Sequence, residues 1–132
     1  MPEVMTMPIM RTSTIRDIQV GFTALYPYLS LDFYKYTGGR FGSSTRLKLN
    51  KSLSLESVGL KKDGSFQIAE TLTVGSLEET FLKDFGLYVQ VSRKSGTVWL
   101  ETTMTDNWTL LQQNVHGQEL SEPKVPDKER TE

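Results

Sequence analysis

Apolar residues recur along this chain with two different periods, and each switch between them marks the border of an element. Ile15, Ile18, Phe22 and Leu25 are spaced three, four and three apart, which sets all four on one helical stripe. Thr12, Ser13 and Thr14 offer N-cap oxygens before that stripe, and Pro27 stops it. Residues 28–36 alternate instead, with Leu29, Leu31 and Phe33 against Ser30, Asp32, Tyr34 and Tyr36, so a half-buried strand is predicted. Ahead of the helix, Met5, Met7 and Ile9 share one face of a shorter strand.

The same order then returns. Phe66 and Ile68 suit a strand, Thr73 and Ser76 are cap candidates, and Val74, Leu77, Phe81 and Phe85 form a second helical stripe. Glu78 and Glu79 favour the positive end of that helix, and Gly86 is placed to end it. Residues 87–93 alternate as a strand, Lys94-Ser95-Gly96 punctuates it, and residues 97–103 return with Trp99 and Glu101 opposite in facing to Val98 and Leu100. At an offset of about 59 residues, Met7, Ile9, Thr14, Gln19 and Phe22 lie over Phe66, Ile68, Thr73, Glu78 and Phe81. After a slip of one, Leu29, Leu31 and Phe33 lie over Leu87, Val89 and Val91.

Two consecutive β-α-β units predict an α+β fold on the ferredoxin-like split βαβ plan, in which one mostly antiparallel sheet carries both helices on one face. Residues 37–63 then read as an insertion between the halves, and residues 97–103 as an extra hairpin strand near the C-terminus. Residues 46–50 offer a further strand and residues 54–60 a short helix; central pairing of that segment would give a ubiquitin-like or other mixed-sheet α+β fold instead. A single domain over residues 1–116 is expected, with a short helix over residues 108–114 and a disordered, charged tail over residues 117–132.

Composition narrows the class. With 132 residues, 37% hydrophobic and 23% charged, the chain is of ordinary single-domain size, and no apolar run approaches the ~20 residues of a bilayer crossing. The first ten residues carry no basic segment followed by an apolar core, and cysteine is absent, which removes disulfides and thiolate chemistry. Cytoplasmic residence is the expectation.

Catalytic signals are weak throughout. His116, the one histidine, has no sequence neighbour with which to hold a metal or relay a proton. The glycine-rich stretch 37–44 lacks the lysine and spacing of a phosphate-binding loop and reads as a connection. Glu70, Glu101 and Asp106 are the carboxylates nearest strand ends, but nothing in their spacing sets them apart from surface charges. No serine sits in a G-x-S-x-G turn. A non-enzymatic protein with no cofactor and no metal is therefore expected.

Binding signals are stronger. If Leu29, Leu31 and Phe33 face the helices, then Tyr34, Tyr36, Tyr88 and Trp99 fall on the opposite face, which is either wet or covered by residues 37–63, the Trp108 segment or a partner. These four aromatics are the expected contacts of a structural or adaptor domain that self-associates or binds another protein. Charge supplies the alternative, since residues 33–62 hold seven basic residues against one acid, whereas acids dominate from Glu101 onward. Lys35, Arg40, Arg46, Lys48 and Lys51, extended by Arg93 and Lys94, would then meet the phosphates of a single-stranded nucleic acid while the aromatics stack on bases. The pI of 5.9 lies below the range usual for such proteins, so protein contact is the preferred expectation.

Overall fold

The computed structural model describes residues 4–38 and 44–122. Its elements run β1 (Val4–Ile9), α1 (Ile15–Leu25), β2 (Leu29–Gly38), β3 (Ser44–Lys48), β4 (Gly64–Ala69), α2 (Val74–Phe85), β5 (Tyr88–Ser95), β6 (Val98–Glu101) and α3 (Leu110–Ser121), with 3-10 turns at Glu56–Val58 and Thr103–Thr105. The fold is α+β with mixed helices and antiparallel sheets.

Capping explains where the helices begin. Thr14 accepts from the backbone N–H of Asp17, whose carboxylate accepts from the Thr14 N–H in return. Thr73 caps α2 through the Ser76 N–H, and Thr109 with Gln112 closes a second reciprocal box at α3. Helix starts are further tied in pairs. Ile15 and Arg16 donate to the carbonyls of Leu53 and Lys51, while Leu55 and Glu56 donate back to Ser13 and Arg11. The same exchange joins Val74 and Gly75 to Trp108 and Asp106, and Leu110 and Leu111 to Leu72 and Glu70. Amide groups that a helix N-terminus leaves open are thereby filled by neighbouring chain. Gly86 adopts a left-handed conformation (φ 69°) and stops α2, as its place in the sequence predicts.

The strands do not form one sheet. β1 pairs with β4 alone, and a four-stranded antiparallel sheet has the order β3-β2-β5-β6. This departs from the ferredoxin-like plan for a simple reason. β3 pairs with residues 34–38 of β2 and β6 with residues 92–95 of β5, and on the remaining stretches of those edges side chains of the helices take the place of a strand, Gln19 at the Leu31 carbonyl and Glu78 at the Val91 N–H. Residues 37–63 supply β3, which folds back on the outer edge of β2 rather than entering the sheet centrally. At the other end, the expected disordered tail is helical as far as Ser121, because a capping box starts α3 and Leu110, Gln113 and Gly117 pack inward; residues 123–132 lie outside the described residues.

Aligned positions of the two halves meet in both ladders. Met7 stands opposite Phe66 in the smaller sheet, and Asp32 opposite Gln90 in the larger. One core joins everything. Leu29, Leu31, Phe33 and Val91 on the inward face of the large sheet pack with Ile15, Ile18 and Phe22 of α1, Val74, Leu77 and Phe81 of α2, and Ile9, Phe66 and Ile68 of the small sheet. Phe81 is the hinge of this packing, stacked on Phe66 at 4.9 Å and edge-on to Phe33 at 6.0 Å.

Candidate functional site

Registers within the large sheet assign every outward residue. Tyr34 lies between Lys48 and Tyr88, Tyr36 beside Arg46, Asp32 beside Gln90, Ser30 beside Ser92, Ser92 beside Glu101, and Lys94 beside Trp99. Cross-strand partners share a face, so Tyr34, Tyr36, Tyr88 and Trp99 all stand on the face opposite the core. Tyr36, Tyr88 and Trp99 remain 47%, 43% and 44% exposed, and Tyr34 is half-buried.

The four aromatics divide into two places. Tyr36 and Tyr88 pack edge-on at 4.6 Å, next to Tyr34. Trp99 sits beside Lys94, six residues along β5 from Tyr88, or about 20 Å at the rise of a strand. Between them runs a polar band of Asp32, Gln90, Ser30 and Ser92.

Arg46 crosses this face. Its guanidinium lies 4.2 Å from the centre of the Tyr34 ring and reaches the carboxylate of Glu101 at 2.7 Å, so the two outermost strands are tied together over the central pair. The Glu101 hydrogen bond, the largest influence on it, holds the guanidinium more firmly protonated than usual. Burial raises the Tyr34 hydroxyl above its ordinary range, with Asp32 adding to the effect. Nothing in local spacing announces the Arg46 to Glu101 contact, since 55 residues separate its ends.

The basic residues do not gather into one surface. Lys48 is paired with Asp32 at 3.5 Å, and Arg46 with Glu101. Arg93 turns inward from the opposite side of the sheet, donating to Gln113 at 2.8 Å and lying over the Trp108 ring at 5.9 Å. Gln113 is fully buried and passes the network on to the carbonyl and hydroxyl of Thr105. Its spacing from Leu110 and Gly117 is the one sequence signal that could have disclosed it. Lys94 stays on the outward face beside Trp99, Lys51 is exposed in the connection after β3, and Arg40 lies outside the described residues.

At one end of the face, Lys35, Tyr36, Leu53, Val58, Leu87 and Tyr88 border a cleft of about 400 Å³. His116 sits 5.5 Å edge-on from Trp108 and 3.6 Å from Glu119 on the outside of α3. Among the described residues, no three of His, Cys, Asp and Glu converge as metal ligands, and no helix is long and apolar enough to cross a membrane. Compared with models of protein families, with curated proteins and with solved structures, the chain matches none.

Proposed function

We propose that this chain is a non-enzymatic structural or adaptor domain that works through protein–protein contacts on the outward face of its large sheet and self-associates there. The observation that carries the reading is the placement of Tyr34, Tyr36, Tyr88 and Trp99 on one face, with three of them more than two-fifths exposed. Large amphipathic side chains bury much area at little entropic cost, and monomers seldom leave them open in groups. Neutralisation of Arg46 and Lys48 within the chain further suits a protein partner better than a polyanion. The same reading takes the two halves as copies of one unit, supported by the facing of Met7 to Phe66 and of Asp32 to Gln90.

Light scattering across protein concentration tests the proposal. An oligomer that Trp99→Ala dissociates, while circular dichroism stays unchanged, is the expected result. A wild-type chain that is monomeric throughout would contradict self-association.

A further inference from the structure

We infer that the partner is a second copy of this chain and that the two meet edge to edge along β6, fusing their large sheets into one of eight strands. The inference rests on the self-association proposed above and places it on a particular edge.

Hydrogen bonding along β6 selects that edge. Thr102 donates to Val91, directly beyond the paired residues Ser92 and Glu101, so the ladder alternates and the N–H and C=O groups of Trp99 and Glu101 point away from β5. Neither residue makes another backbone hydrogen bond among the described residues. Proteins usually guard such an edge with lysine, arginine or proline. β3, the other edge of the same sheet, carries Arg46 and Lys48, and β1 carries Pro8. β6 instead presents Val98, Trp99 and Leu100, which are 53%, 44% and 46% exposed, and its one charge, Glu101, is already bound to Arg46.

Self-complementarity then sets the register. With a two-fold axis through Leu100, Trp99 of one copy lies opposite the partner's Glu101, and the reverse pair follows by symmetry. Both are hydrogen-bonding pairs, so all outward groups of Trp99 and Glu101 are satisfied at once in four backbone bonds. Leu100 meets the partner's Leu100 in the closer, non-hydrogen-bonded position on the inward face, and Val98 meets the partner's Thr102. An axis through Trp99 would place Glu101 opposite Thr97 in the hairpin turn and lose half of these bonds.

The absence of cysteine in the chain gives a clean test. Leu100→Cys, purified reduced and then oxidised in air, is expected to form a disulfide-linked dimer, because non-hydrogen-bonded partners bring Cβ atoms within bonding reach. Val98→Cys is expected to cross-link at least tenfold less. Glu101→Pro, which removes an outward N–H, should weaken association at least tenfold by light scattering, whereas Glu101→Gln keeps that N–H and should not. If wild type associates but Leu100→Cys fails to cross-link and Glu101→Pro still associates, the edge is wrong and the face reading survives. Equal cross-linking from both cysteine positions overturns the register, and a monomeric wild type overturns both readings.

Discussion

Glu78 occupies the place of a strand that is not there. β6 ends at Glu101, and beyond it the fully buried Val91 offers its N–H at 3.0 Å to the Glu78 carboxylate from α2. Gln19, its counterpart on α1, donates to the carbonyl of Leu31 at 2.9 Å on the other half of the sheet. The carboxyl is raised above its ordinary 4.5, chiefly by burial, with the Val91 N–H opposing and Asp106 and Glu101 reinforcing. A raised native value means that the folded chain holds the proton more tightly than the unfolded one. The stabilisation from this group is therefore complete below about pH 4.5 and is lost as pH rises through the native value. Glu78→Gln keeps an acceptor without the charge, so its stability relative to wild type should rise with pH in urea titrations between pH 4 and 7; parallel profiles would contradict this. Glu78→Ala strands the Val91 N–H and should be less stable than the glutamine variant by about 1–3 kcal/mol. Local chemistry of this kind divides by range. Thr14, Thr73 and Gly86 could be read from sequence because caps act within a few residues, whereas the partners of Gln19 and Glu78 depend on which strand edges the fold leaves open.

At the scale of elements, α3 shows how composition can hide a packed helix. Its core-facing positions include Gln113 and Gly117 as well as Leu110, so the stripe is only partly apolar and its second half reads as tail. Gly117 is there for contact rather than flexibility. A Cβ at this position would stand 2.8 Å from the Tyr28 Cβ and 3.1 Å from both the Tyr28 carbonyl and the Arg93 Cγ. Overpacking of this sort costs about 1–3 kcal/mol, against about 1 kcal/mol of gained helix propensity. Gly117→Ala should therefore lower stability by up to about 2 kcal/mol in chemical denaturation, and a stabilised variant would show that α3 does not dock this closely. The other two helices were legible because Ile15, Ile18 and Phe22, and likewise Val74, Leu77 and Phe81, keep helical spacing with every member buried. Strand identity was legible from alternation for the same reason. Strand partnership was not, since the separation of β1 and β4 from the β3-β2-β5-β6 sheet depends on contacts between residues far apart in the chain.

Across the whole molecule, one ion pair joins the basic stretch to the acidic C-terminal part of the chain. The basic stretch sends Arg46 to Glu101 and Lys48 to Asp32, while Lys35, Lys51, Lys61 and Lys62 stay exposed. The common face of the four aromatics followed from alternation alone, whereas the polar band separating Trp99 from the tyrosines needed the register of β2 with β5. That separation gives Trp99 to the β6 edge and the tyrosines to the other end of the sheet. Association through apolar and backbone contacts should resist salt, because screening acts on charges and at 1 M reaches about 3 Å. The most direct measurement is solution mass by light scattering, from dilute to concentrated protein and from low salt to about 1 M. A dimer that persists in salt and separates with Trp99→Ala is the predicted result; a monomer under every condition would contradict it.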